Sequence, residues 1–92
     1  LLFYSPDVFS PNGDGINDAF RVSIVGYEDF ELFIFDRWGN ELFNTNNPEE
    51  GWNGTYSNGQ EVPQDVYMYK VYMTNEGSGD EKLEKGRVSI IK

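Results

Sequence analysis

Histidine and cysteine are both absent from the 92 residues of this chain. Without cysteine the chain has no disulfide, no thiolate nucleophile and no thiolate metal ligand. Without histidine it lacks the commonest general base and the commonest ligand of transition metals. No apolar run approaches the ~20 residues that a membrane-spanning helix needs. These absences argue against the common catalytic and metal chemistries and against a direct membrane span.

Basic residues are scarce, with 7 Lys+Arg against 16 Asp+Glu and a formal net charge of −9. Proteins that bind nucleic acid depend on Lys and Arg to neutralise phosphates, so we expect no nucleic-acid partner. An anionic membrane surface would repel the chain for the same reason. Aromatic residues are plentiful by contrast, at 16%, which a disordered acidic tail would lack. We therefore expect residues 1–92 to fold as a single domain.

Apolar residues recur with period two along most of the chain, and no window carries a helical stripe. Short apolar runs between Gly- and Asn-rich turns are typical of strands. The candidate strands are residues 2–9, 20–24, 30–35, 41–43, 52–56, 66–73 and 86–92. This pattern predicts an all-β fold, an Ig-like antiparallel β-sandwich of about seven strands. The residues expected to face inward are Phe20, Val22, Ile24, Leu32, Ile34, Tyr67, Tyr69, Val71, Val88 and Ile90.

The segment of residues 9–20 carries oxygen-bearing side chains at nearly every second position, around two glycines. This partly matches a calcium-binding loop, for which the ligands would be the side chains of Asn12, Asp14 and Asp18 and the Ile16 carbonyl. The first position of such a loop is Ser10 rather than Asp, and the twelfth is Arg21 rather than Glu. The alternative is a loop held by Asx-turns, with its glycines at positive φ. Both interpretations stay open.

A second motif, Asp36-Arg37-Trp38-Gly39-Asn40, follows a strand that is apolar on both faces. The pattern favours a turn at Gly39 in which Trp38 covers the core. Alternatively, Arg37 stacks on Trp38, pairs with Asp36 or is exposed to a partner. The candidate partner-binding residues are Arg37, Trp38, Gly39 and the outward-facing Arg87 of the last strand.

Trp52 lies beside a tight turn, where we expect it to pack on the tyrosine-rich strand of residues 66–73. Exposed aromatic side chains on a β-sheet can also stack on sugar rings, so a glycan-binding or adhesive Ig-like module is the alternative function. No strand spacing brings a specific pair of carboxylates together, and no serine lies in a nucleophile elbow. The sequence therefore predicts a protein that is not an enzyme and requires no cofactor, with calcium as an option.

Five motifs occur in one order along nearly the whole chain: Ser-Pro-Asn-Gly-Asp-Gly-Ile-Asn-Asp, Asp-Arg-Trp-Gly, Trp-Asn-Gly-Thr, the run of residues 63–69 and the closing strand of residues 86–91. In this order the chain resembles the gliding-motility-associated C-terminal domain, the type B sorting domain of the Bacteroidetes type IX secretion system. The family more often has glycine where Asp65 stands.

The resemblance implies a sorting signal that an outer-membrane translocon recognises, assisted by a PorP/SprF-like outer-membrane protein. The cargo, an adhesin or a motility protein, would precede the domain in the same chain and reach the cell surface or the medium through the periplasm and outer membrane. The chain opens on Leu1 without Met or signal peptide, so we expect a piece of a longer protein. The last strand is also a candidate edge for pairing with a partner strand.

Overall fold

A computed structural model describes residues 1–11 and 18–91, and within these ranges the protein contains strands and no helix. No helix of the described residues is therefore long and apolar enough to cross a membrane. The strands are β1 (Leu2–Tyr4), β2 (Val8–Phe9), β3 (Ser23–Val25), β4 (Tyr27–Phe35), β5 (Glu41–Thr45), β6 (Val66–Asn75) and β7 (Glu81–Ile90). The predicted all-β class is confirmed.

The strands form two sheets, a two-stranded ribbon of β1 and β3 and a five-stranded sheet in the order β2-β7-β6-β4-β5. All pairings are antiparallel except that of β2 with β7, which is parallel. Residues 2–9 were expected to form one strand, but they divide between the two sheets. Pro6 lies at the division, where its fixed φ and missing N–H are unsuited to a continuous sheet ladder.

The core lies between the five-stranded sheet and a layer made by the ribbon and the loops. Of the residues predicted to face inward, all are buried except Ile24, which is half-buried on the short β3. The ribbon contributes Phe3 and Ile24, which pack against the core cluster. Further buried apolar residues are Phe9, Phe30, Trp52, Val62 and Met73.

Most predicted strand boundaries differ from the observed ones by a few residues, and two differences are larger. Residues 52–56 form no strand and make only isolated bridges, Phe20 with Trp52 and Thr55 with Glu61. The last strand begins at Glu81 rather than at residue 86, because β6 and β7 form one long hairpin whose pairing starts at Thr74 and Glu81. The turn of this hairpin contains two glycines at positive φ, which other residues rarely adopt.

Strand β4 is apolar on both faces, as expected for a central strand, and it lies between β5 and β6. Leu32 and Ile34 are buried in the core. Phe33 and Phe35 point to the opposite side, where they are only half-buried. Among the described residues, the second face of β4 is therefore not covered by another layer of structure.

Candidate partner-binding site

The turn between β4 and β5 is organised by the carboxylate of Asp36. Its Oδ1 accepts hydrogen bonds from the backbone N–H groups of Trp38 and Asn40, both at 2.9 Å, and its Oδ2 accepts one from the Asn40 side-chain amide at 2.9 Å. Gly39 closes the turn with φ of 84°, in the left-handed region that favours glycine. An Asp at the start and a Gly near the end are typical of such turns.

The same contacts hold the pKa of Asp36 below its ordinary value. The hydrogen bond from the Asn40 side chain is the largest cause, and backbone hydrogen bonds from the turn add to it. A carboxylate that accepts several N–H bonds is stabilised in its charged form. Asp36 is therefore ionised at neutral pH and fixes the backbone on which Arg37 and Trp38 are displayed.

Arg37 makes its ion pair with Asp65 and not with Asp36, one of the partners considered from the sequence. Its Nη2 donates to Asp65 Oδ2 at 2.6 Å, while its guanidinium carbon lies 4.9 Å from the centre of the Trp38 ring. A guanidinium can bind a carboxylate in this way and face an indole at the same time. The Arg37 side chain still retains 60% of its exposure, so it is available to a partner.

Trp38 is 75% exposed, so the prediction that it covers the core is wrong. The tryptophan that packs on the core is Trp52, which is 1% exposed and contacts Tyr67 edge-on with ring centres 5.3 Å apart. The Trp52 Nε1 donates to the Thr55 carbonyl at 2.9 Å. The expected packing of Trp52 on the tyrosine-rich strand is therefore confirmed, and its burial prevents it from stacking on a sugar.

Asp65 connects this turn to the start of β6. Its Oδ1 accepts a hydrogen bond from the Val66 N–H at 2.8 Å. This bond is the largest cause of the lowered pKa of Asp65, and the hydrogen bond and charge of Arg37 lower the pKa further. The residue that departs from the family pattern at this position thus anchors the candidate partner-binding arginine.

Arg87, the fourth candidate, lies on β7 in register with Met68 of β6, which is in turn in register with Phe35 of β4. Two inter-strand spacings separate the backbones of Phe35 and Arg87 by about 10 Å. Beside this row runs a shallow groove of about 360 Å³, whose lining includes Arg37 and Gly39. The structure therefore brings the four candidates to the same region, with Arg37, Trp38 and Gly39 on the turn and Arg87 on the adjoining sheet.

Tyr67 supports the opposite, buried side of this region. Its hydroxyl donates to the Pro63 carbonyl at 2.7 Å, and burial raises the pKa of Tyr67 to about 12. The hydroxyl is therefore protonated at any physiological pH. Its role is to hold the chain that leads from Pro63 to Asp65.

Most of the predicted calcium loop, including Asn12, Asp14 and Ile16, lies outside the described residues. Asp18 is described and is half-buried. Among residues 1–11 and 18–91, no group of three or more acidic side chains is arranged to hold a metal ion. Calcium binding by residues 12–18 stays a prediction.

Sequence reasoning missed two features of the region. Nothing in the local sequence indicates that Arg37 meets Asp65, because the two residues come together only when β4 and β6 pair. Lys70 and Lys85, which line the same groove, were also missed. A signal for Lys70 was present, since it falls at an outward position in the period-two pattern of residues 66–73.

The last strand is only partly the edge that the sequence predicted. Ser89 and Ile90 of β7 pair with Val8 and Phe9 of β2. Towards its beginning, β7 has β6 on one side and no second neighbouring strand within the described part of the chain. The open edge of β7 therefore runs from residue 81 to residue 88, so only residues 86–88 of the predicted edge 86–92 belong to it.

The comparisons with known proteins agree with this architecture. The family profile described as CHU_C Type IX secretion signal domain matches residues 3–90. The structure is also similar to PorZ, an essential bacterial surface component of the type IX secretion system of Porphyromonas gingivalis, with a TM-score of 0.56 and 23% identity. That likeness covers 99% of this chain and 11% of PorZ, so it concerns the fold of one part of PorZ. No functionally curated protein matches the sequence.

Proposed function

Because this chain belongs to the CHU_C family of type IX secretion signal domains, we propose that it delivers a large cargo protein, an adhesin or a motility protein, to the cell surface. The cargo precedes the domain in the same chain. The domain is recognised by the outer-membrane translocon, with the assistance of a PorP/SprF-like outer-membrane protein. In this role it performs no catalysis and requires no cofactor.

The observation that carries the proposal is that the family match and the folded unit coincide. The match over residues 3–90 includes all of the strands from β1 to β7 except Leu2, the first residue of β1. Both ends of this range contribute to the core, since Phe3 packs against it and Ile90 is 1% exposed. The machinery is therefore expected to recognise a folded surface rather than a short linear tag.

On this surface we assign recognition to the turn between β4 and β5. The hydrogen bonds of Asp36 fix the turn, and the ion pair with Asp65 orients Arg37. Recognition residues often lie on loops that a rigid sheet positions, as here. An exposed aromatic next to an arginine is also the composition that interface hot spots favour.

The experiment fuses the domain to the C-terminus of a reporter delivered to the periplasm of a strain with a type B-capable type IX system. We expect the reporter to reach the cell surface. If the intact fusion stays in the periplasm of a strain that supplies the cognate outer-membrane partner, the proposed function is wrong. Truncating residues 88–92 is a poor test, because Val88 and Ile90 are core residues.

Two single substitutions then test the turn. Arg37→Ala should weaken export while leaving the melting temperature nearly unchanged, because exposed substitutions usually change stability by no more than about 0.5 kcal/mol. Asp65→Ala is the matched control, since it breaks the same ion pair but leaves the arginine in place. A larger export defect in Arg37→Ala than in Asp65→Ala indicates that the guanidinium itself contacts the partner. Normal export of Arg37→Ala would remove the arginine from the recognition surface.

A further inference from the structure

The outer side of the five-stranded sheet carries a cluster of apolar and basic side chains. We call this cluster the basic outer face, and it consists of Phe33, Phe35, Met68, Lys70, Lys85 and Arg87. In one row across β4, β6 and β7, Phe33 is in register with Lys70 and Lys70 with Lys85. The neighbouring row is the one that contains Arg87.

The cations of this face have no ion-pair partner among the described residues. The ion pairs of the described residues are those of Arg37 with Asp65 and of Lys82 with Glu84, and neither involves Lys70, Lys85 or Arg87. Lys70 instead places its ammonium 5.4 Å from the centre of the Phe35 ring. Leaving these cations unpaired is notable in a chain with 16 acidic and 7 basic residues.

Within the two rows of the basic outer face, the positions on β4, β6 and β7 carry three cations and no carboxylate. Acidic residues lie beside these rows: Glu31 faces outward in the adjacent row, and Asp36 lines the same groove as Lys70 and Lys85. On β5, the row that contains Lys70 and Lys85 ends at Asn44, which is not charged. The row that contains Arg87 ends on β5 at Glu41, three strands away from Arg87 on β7. Glu41 already accepts a hydrogen bond from the Asn44 amide at 2.8 Å. These two rows therefore carry more positive than negative charge, three cations against Glu41, although the chain as a whole is negative.

The apolar part of the face is exposed enough to be buried by a partner. Met68 is 38% exposed, and Phe33 and Phe35 are half-buried, with their rings stacked at 6.3 Å between centres. Protection of a sheet edge explains lysines on edge strands. It does not explain Lys70, which lies on β6 between two paired strands.

We propose that the basic outer face docks an acidic protein surface of the export machinery, one that presents carboxylates around an apolar centre. This inference rests on the proposed function and names the surface that the partner covers. Charge complementarity favours a protein over a lipid surface. Binding to anionic lipid takes clusters of about 4–8 Lys/Arg, whereas this face has three, Lys70, Lys85 and Arg87. The net charge of −9 on the domain would also repel an anionic lipid surface.

A matched pair of substitutions on β7 tests the proposal in the reporter fusion. Lys85→Glu changes the basic outer face, while Lys82→Glu makes the same charge change on the same strand, in register with the buried Met73 and therefore on the other side of the sheet. Because Lys82→Glu also replaces the exposed ion pair with Glu84 by two like charges, the control is the harsher of the two changes for stability. We expect Lys85→Glu to lower the surface-delivered fraction about tenfold and Lys82→Glu to change it less than about twofold. Equal effects of the two substitutions, with equal melting temperatures, would overturn the proposal.

A photo-reactive residue at Met68 identifies what covers the face. We expect an adduct with an outer-membrane protein that is lost in Lys85→Glu. An adduct with lipid, or none while export is normal, would refute a protein partner. If the unchanged fusion fails to reach the surface, the proposed function fails, and the adduct at Met68 still decides whether the face docks a protein.

Discussion

Replacing Gly86 by alanine should destabilise the domain, although alanine is normally the better residue within a strand. Gly86 lies on β7 directly opposite Tyr69 of β6, and the tyrosine ring covers it. A Cβ atom at Gly86 would lie 2.5 Å from Tyr69 Cζ and 2.6 Å from Cε2, and closer still to the hydroxyl. Ordinary contacts are at least 3.4 Å, so the ring has to move by nearly an ångström.

The ring has little room for this movement. Tyr69 is 8% exposed and packs on Phe20 with ring centres 5.5 Å apart. Its hydroxyl shares a hydrogen bond of 2.5 Å with the hydroxyl of Ser5. Overpacking costs about 1–3 kcal/mol, and loss of the hydrogen bond adds about 0.5–1.5 kcal/mol. Replacing a strand glycine by alanine restores about 0.5–1 kcal/mol, which leaves a net loss of about 2 kcal/mol.

For a domain of this size, that loss corresponds to a fall of about 8–16 °C in melting temperature, measured by circular dichroism. The control repeats Gly86→Ala in a Tyr69→Leu background, where no ring opposes the new methyl group. There the substitution should be neutral or stabilising by up to about 1 kcal/mol. An unchanged or higher melting temperature for the single variant would refute the reasoning, because it would show that Gly86 is not required by the ring.

Three further predictions concern the tryptophans, acid stability and calcium. Trp52→Ala should lower the free energy of unfolding by about 3–5 kcal/mol, and Trp38→Ala by no more than about 0.5 kcal/mol. If urea unfolding shows similar losses for the two variants, the opposite burial of the two tryptophans is contradicted. The pKa values of Asp36 and Asp65 are lowered in the folded protein. Both carboxylates therefore stabilise the fold at pH values above the pKa of Asp in the unfolded chain, about 3.9, and this contribution is lost as the pH falls through their pKa values in the folded protein. The double variant Asp36→Asn, Asp65→Asn should therefore show a shallower loss of melting temperature below about pH 4 than the unchanged chain, and parallel curves would argue against the assignment. If residues 12–18 bind calcium, millimolar calcium should raise the melting temperature and EDTA should lower it, whereas identical curves would favour the loop held by Asx-turns.

The motif Asp36 to Asn40 shows how far sequence reasoning reached in the candidate site. The turn and its glycine could be predicted, because Asp and Gly favour this geometry through local hydrogen bonds and backbone freedom. The partner of Arg37 could not be predicted. Asp65 is 28 residues away in the chain and becomes a neighbour only through the pairing of β4 with β6.

The two tryptophans make the same point about packing. Each stands next to a glycine, and the local sequence gives no reason to bury one and expose the other. Trp52 is buried because the bridge to Phe20 brings it over the core, against Tyr67. The turn of Trp38 projects from the end of the sheet, so this residue remains exposed.

The sequence alone determined the all-β class and nine of the fourteen buried apolar residues of the described chain, because alternation between two faces is a local property of an extended backbone. It also determined the negative charge and, through its ordered motifs, the family. Only the tertiary structure decided that β2 runs parallel to β7 and that Lys70, Lys85 and Arg87 share one face with Phe33 and Phe35. Such neighbours depend on strand order and register, which are set by contacts between residues far apart in the chain.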